Sequence, residues 1–363
     1  FGSSILVRGV FPPSVASSTL GTRVAMTVSG APLLARGGSD NRMHRAIHAA
    51  VAALLIAGIC CLALEGPHLV ALRPALVGAT SLSSTQWLPP WERDYIRWWK
   101  AHQLLLEAPG RMLMVGAILS GRLTIVKASQ PTGLCHRAFQ LVAGCGCLLF
   151  LGGPLVRRPL LSVMGSVIVS VSVALATITA HIVGISVMAG EELQSELRDI
   201  LKNIACLGGF LAVLGYDLQR LPMPGTRLRP LQSQAWVLLI IGHILVALVF
   251  LVPGMALRIK GFIGIAKWRG YPAPAFMGLM AFLFTVGGAS CMMVGAAAHL
   301  PMTSCAGNKF CAIFLCIATY SGHWLQLSSS TGDEHAQHMR AVAKNLSIVG
   351  ALVTMLSIDM LDL

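Results

Sequence analysis

Apolar residues along this chain neither alternate nor recur at every third or fourth position. They come in long, nearly uncharged runs separated by short polar stretches. The runs cover approximately residues 46–64, 108–126, 138–156, 159–184, 200–216, 236–256, 274–298, 308–326 and 341–361. About 20 apolar residues in helical form cross the ~30 Å hydrocarbon core of a bilayer. Lipid offers a peptide group no hydrogen-bond partner, so each run must satisfy its own backbone, and a helix does this within one segment. The pattern predicts an all-α, polytopic integral membrane protein with about nine spans.

Polar positions within the runs give the organisation. "LKNIACLGGFLAVLGYDL" (201–218) and "AKNLSIVGALVTMLSIDML" (343–361) carry one phrase twice. Lys202-Asn203 answers Lys344-Asn345, Gly208 answers Gly350 and Asp217 answers Asp359, all at an offset of 142 positions. Among the eight later runs, the second and sixth also correspond. "VAGCGCLLFLGG" (142–153) read against "VGGASCMMVGAA" (286–297) places Gly144 on Gly288 and Cys147 on Cys291. The first and fifth align loosely. Residues 108–218 and 236–363 are therefore read as two four-helix repeats. An even number of spans leaves both units in one orientation, which makes a parallel repeat about an axis along the membrane normal. Small residues let helix backbones approach closely in lipid, so Gly144, Gly152, Gly208, Gly288 and Gly350 are the expected packing points.

The segment ahead of the repeats differs. Residues 1–45 contain Arg8, Arg23, Arg36, Arg42 and Arg45 against one acid, Asp40, in a background of Ser, Thr, Gly, Pro and Ala. Such a composition, here opening on Phe, reads as an organellar presequence, with a basic tail as the alternative. Residues 46–64 form a leading span. Residues 65–107 are polar and tryptophan-rich. Pro89-Pro90 can open a helix, on which Trp91, Tyr95, Trp98 and Trp99 recur at helical spacing among Glu92, Arg93, Asp94, Arg97 and Lys100. An aromatic face opposite a charged face suits the membrane interface, as a lipid anchor or as a docking surface.

Composition agrees with a lipid solvent. Hydrophobic residues make up 55% of the chain and charged residues 11%, where a soluble domain carries about 25% charged. Mean hydropathy is +0.73. The net charge of +13 is spread over loops and the N-terminal segment rather than gathered on an aromatic face, so nucleic acid is not an expected partner. Eight of the 10 cysteines sit in apolar runs as small hydrophobes, and Cys135 and Cys305 are placed in loops. No disulfide framework is indicated.

Candidate chemistry is sparse. Arg122 lies inside the first core span, where an arginine either snorkels or holds a lipid headgroup, a quinone or a carboxylate. His181, His243, His299 and His323 fall in spans or at their ends. Each is a candidate pigment ligand or a hydrogen bond between helices. His335 and His338 in "DEHAQH" are one helical turn apart, but a capped helix start explains them better than a metal site. Cys145 and Cys147 would lie on different faces of a helix and do not form a redox pair. No phosphate-binding loop, nucleophile elbow or metalloprotease motif occurs.

The "KNxxxxGG" entry into a last helix ("LKNIACLGGFLAVLG") and the small-residue-rich second helix ("GCGCLLFLGGPLVRRPLLS") resemble the DoxX-like superfamily. The doubling from Ala108 to Leu363 resembles its surfeit-locus-4-type relatives. The resemblance implies three roles: a membrane partner of quinone-linked oxidoreductases, a receptor carrying cargo from the ER, or an accessory subunit of an organellar complex. The final "SIDMLDL" lacks a dilysine retrieval signal, which departs from the receptors. The reading carried forward is a non-catalytic accessory or scaffold subunit, in a thylakoid photosystem first and a mitochondrial respiratory complex next. Membrane lipids and other subunits are its partners, with chlorophyll or carotenoid as candidate ligands.

Overall fold

A computed structural model describes residues 90–119, 134–182, 190–221 and 229–361. All regular structure among these residues is helical. The helices are α1 (Pro90–Ala101), α2 (Leu104–Leu119), α3 (Leu134–Leu155), α4 (Pro159–Thr177), α5 (Gly190–Gln219), α6 (Arg229–Trp268), α7 (Pro274–Ala297), α8 (Pro301–Leu327) and α9 (Gly332–Leu361). Six of them, α3, α4, α6, α7, α8 and α9, contain stretches long and apolar enough to cross a membrane. This is the make-up of a polytopic integral membrane protein. The presequence-like segment, the leading span and Arg122 lie outside the described residues.

Helices run past the apolar runs that announced them. α5 spans 30 residues and starts at Gly190, ten positions before its run. α6 spans 40 residues, which at 1.5 Å per residue is about 60 Å, twice the bilayer core. It resolves this by leaving helical geometry at Arg258 (φ 54°, ψ 177°). Cys135 and Cys305, expected in loops, lie inside α3 and α8. They sit within the helices because these begin several residues ahead of the most apolar stretch. Ser330 and Thr331 precede the last helix as its candidate caps; Ser330 is buried with its hydroxyl unpaired, and the helix opens on Gly332 at φ 58°.

Local geometry recurs at 142 positions. The turn from α3 to α4 has Arg157 at φ 53°, and the turn from α7 to α8 has His299 at φ 53°. Each turn closes with the same bond: the Arg158 N–H donates to the Gly153 carbonyl and the Leu300 N–H to the Gly295 carbonyl, both at 2.8 Å. Proline then opens the next helix, Pro159 or Pro301, where its missing N–H costs nothing. At their far ends, α4 and α8 widen into π-helical turns, Ile178–Ile182 and Tyr320–Trp324. Just before each, a threonine hydroxyl (Thr177, Thr319) donates to a carbonyl four residues back. The chain re-enters a helix at Gly190 (φ 59°) and Gly332 (φ 58°).

The left-handed backbone at Arg157 costs a residue with a Cβ about 1–2 kcal/mol, of which glycine's extra chain entropy would return about 0.5–1. Arg157→Gly should therefore stabilise the fold by about 0.5–1 kcal/mol, read as a raised Tm in lipid nanodiscs. His299→Gly should be near neutral, because the His299 ring stacks on Trp236 at 4.1 Å and that contact is worth a similar amount, about 0.5–1.5 kcal/mol.

Packing follows the small residues. α3 lies on α4, α4 on α5 and α5 on α6, while α7 lies on α8, α8 on α9, and α9 returns to α2. At the crossing of α5 and α6, Gly208 and Gly242 face each other. A Cβ added at Gly208 would fall 2.7 Å from the Gly242 carbonyl oxygen, and one at Gly242 would fall 2.5 Å from that of Gly208. Gly350 and Gly110 make the matching crossing of α9 on α2, 2.5 Å by the same measure. Gly288 packs on Phe310 and Cys311.

Two expected packing points fall elsewhere. Gly144 and Gly152 have no neighbouring atom where a Cβ would stand, whereas Gly146 packs on Ile168 and Val169, and Gly153 on Ser162. Ile168 and Val169 precede Phe310 and Cys311 by 142 positions, so Gly146, not Gly144, corresponds to Gly288. With several glycines in one helix, the sequence match slipped by two residues, which turns the packing face away from its partner.

Candidate functional site

Among the described residues, two clusters of buried charge lie near the ends of α5 and α9, apart from Lys344 near the start of α9. The first begins with α2, where Glu107 and Arg111 are four residues apart and share a face. Both are buried, at 2% and 1% exposure. The guanidinium reaches Glu107 Oε1 at 2.8 Å within α2 and Asp217 of α5 through two bonds, Nη2 to Oδ1 at 2.8 Å and Nη1 to Oδ2 at 3.1 Å. From α4, the Ser162 hydroxyl accepts from Arg111 and donates to Asp217. The Phe150 ring of α3 lies beneath the guanidinium, its centroid 4.9 Å from Cζ. One side chain thus ties four helices together.

Glu107 is held in turn by Gln103, whose amide donates to Glu107 Oε2 and to the Tyr216 hydroxyl, both at 2.6 Å. Gln103 Oε1 accepts from Arg220 at 3.0 Å, and that guanidinium lies 4.5 Å over the Tyr216 ring. Desolvating an ion costs several kcal/mol, offset only when every lone pair finds a donor. This extended network comes close to that condition, leaving Arg111 Nε without a partner.

The second place is built from α6, α8 and α9. His243 is fully buried and its Nδ1 faces the Leu239 carbonyl at 2.8 Å. A carbonyl only accepts, so Nδ1 carries the hydrogen. Nε2 faces Asp359 Oδ1 at 3.6 Å, beyond hydrogen-bond range. The Asn308 amide donates to Asp359 Oδ2 at 2.8 Å.

No family model, curated protein or solved structure matches the chain.

The candidate histidines do not converge. His181, in the π-helical turn after α4, pairs with Glu196 at 2.8 Å. His323, in the corresponding turn of α8, meets His338 Nδ1 to Nδ1 at 3.1 Å, so one of the two nitrogens carries a proton and the other accepts it. Glu196 and His338 are again 142 positions apart. His299 is at the opposite end of α8, exposed and stacked on Trp236. His335 Nδ1 faces the Leu327 carbonyl at 3.1 Å. Near the starts of α5 and α9, buried Lys344 pairs with Asp199 at 3.4 Å, and buried Asn345 donates to Thr319 at 3.0 Å. Cys145 is exposed and Cys147 buried.

On α1, Trp98 is 47% exposed and stacks on His102 at 4.5 Å. The side chains of Trp91, Tyr95 and Trp99 lie outside the described residues.

Sequence reasoning weighed Arg122 and passed over Arg111, Glu107 and Ser162. One signal was available, since Glu107 and Arg111 form an i,i+4 acid–base pair at the mouth of an apolar run. The repeated Asp217 and Asp359 mark both clusters, although their partners come from helices far off in sequence.

Proposed function

We propose that the chain is a non-catalytic accessory or scaffold subunit of an organellar membrane complex, made of two parallel four-helix repeats behind a leading span. The recurrence of turns, π-helical turns and glycine crossings at one offset supports the repeat. α2 and α5 join the six apolar helices to make four helices per unit, and an even number gives both units one orientation. The observation that carries the scaffold reading is the use of buried charge to bind the protein's own helices, four of them at Arg111. Outward, α3 and α4 present Leu141, Leu148, Leu155, Val171 and Leu175, each 49% exposed or more. Such an apolar flank suits lipid or a membrane-embedded neighbour. A thylakoid photosystem is the preferred setting and a mitochondrial respiratory complex the next, with bound lipid and carotenoid or chlorophyll as companions.

Two measurements test this. Residues 1–70 fused to a fluorescent reporter should direct it to plastids or mitochondria, and the full chain should migrate with a large complex on a native gel. Accumulation of the full chain in the ER, or migration as a free protein, overturns the reading. The first outcome would favour a cargo receptor. The second, joined to a quinone-dependent activity that Arg122→Leu abolishes, would favour an oxidoreductase anchor.

A further inference from the structure

The two buried clusters stand at matching places, but only the first brings a guanidinium to its aspartate. Asp359 follows Asp217 by 142 positions and Ser304 follows Ser162 by the same offset. His243 takes the place of Arg111, each directly after the glycine of its helix crossing, Gly242 and Gly110. In the first cluster the Arg111 guanidinium supplies donors to Ser162 and to both oxygens of Asp217. In the second, the shorter His243 spends its Nδ1–H on Leu239, and Leu239 stands where the first cluster has Glu107.

What remains is a set of atoms without a donor. His243 Nε2, Asn308 Oδ1 and Ser304 Oγ have no hydrogen-bond partner, and these residues are 0%, 0% and 1% exposed. Asn308 gives its amide hydrogen to one oxygen of Asp359, and His243 Nε2 faces the other at 3.6 Å. Ser304 lies one turn before Asn308 on the same face of α8. The charged group facing His243 is Asp359, on α9. At this level α5 brings Gly208 and Ala212, while α7 meets α6 further along, at Gly254 and Ile263. Asp359 thus carries a single negative charge beside one imidazole lone pair, and the same face of α8 brings a buried amide oxygen and a buried hydroxyl that also lack a partner.

We propose that this cluster holds one exchangeable positive charge at Asp359, in the role that the Arg111 guanidinium plays in the first cluster. A lone carboxylate is neutralised by one positive charge, and a divalent ion would leave an uncompensated charge buried. That charge has one of two sources, an alkali ion such as sodium or a proton shared between His243 and Asp359. The duplicated body thereby carries one permanent, covalently attached cation and one exchangeable cation.

The test uses the full chain in lipid nanodiscs, melted in sodium chloride and in choline chloride at equal ionic strength, at acidic and at alkaline pH. A ligand bound only by the folded state raises Tm with its concentration. The site predicts a higher Tm in sodium, in acid or in both, and either dependence should vanish in Asp359→Asn and in His243→Arg. His243→Arg should melt no lower than the unaltered protein, because its guanidinium fills the site. Sodium dependence assigns the alkali ion and acid dependence alone assigns the proton. Should either substitution prevent folding, Ser304→Ala removes one hydroxyl and should raise the half-saturating cation concentration by about tenfold. Absence of both dependences, or dependences that persist unchanged in the variants, overturns the proposal.

Discussion

Arg111→Leu should cost about 3–5 kcal/mol of stability, the expected loss when one partner of a buried ion pair is removed. The substitution leaves Glu107 and Asp217, 2% and 3% exposed, as carboxylates without their shared cation, and leaves the Ser162 hydroxyl bridging nothing. It also removes the link between α2 and α5. Size alone does not account for the effect, since leucine fills part of the vacated volume and restores some apolar contact with Phe150. The decisive comparison is the combined Glu107→Leu, Arg111→Leu, Asp217→Leu variant. Replacing all the charges with apolar groups is often neutral, so this variant should recover most of the loss. Denaturation in nanodiscs measures both. A single variant as stable as the unaltered chain would show that the cluster does not tie the helices.

Gly242→Val should be of similar severity by a different route. Its Cβ would lie 2.5 Å from the Gly208 carbonyl oxygen and 2.6 Å from the Ala212 nitrogen. Both are backbone atoms and cannot rotate aside, so α5 and α6 must separate. Overpacking of this kind costs about 1–3 kcal/mol or more, and the separation would also disturb the adjacent His243. Gly287→Ala is the control: no atom lies within 4 Å of its added Cβ, and helix propensity favours alanine by about 0.5–1 kcal/mol. A difference in Tm between the two variants separates a steric cause from a general intolerance of helix substitutions. Equal effects would remove the close crossing as the explanation.

Much of the helical body was legible in the runs of apolar residues, because lipid imposes length and lack of charge on whatever crosses it. Helix ends were less so. The polar start of α5, "GEELQSELRDI", is as helical as its apolar remainder, yet hydropathy registers only the part that meets hydrocarbon. The 142-residue echo of Lys202, Asn203, Gly208 and Asp217 was readable because polar residues are rare in such runs. The match of Gly144 to Gly288 failed because glycine is common there, so identity carried little information about which face packs. Arg111 and its local partner Glu107 were visible as an i,i+4 pair, but not the partners on other helices. Ser162 and Asp217 come from elsewhere in the chain, 51 and 106 positions away, and nothing local announces a meeting of that kind.

The return of α9 onto α2 bears on how the protein is made. Thr354 touches Met114 across 240 positions, and Ser347 donates to the Met114 carbonyl across 233. A ribosome adding about 5–20 residues per second needs on the order of tens of seconds to span that interval. Until then, the glycine face of α2 has been inserted without the neighbour it is shaped for. A nascent chain arrested before Gly350 would present that face to the membrane, where quality-control proteases or a holding insertase would find it.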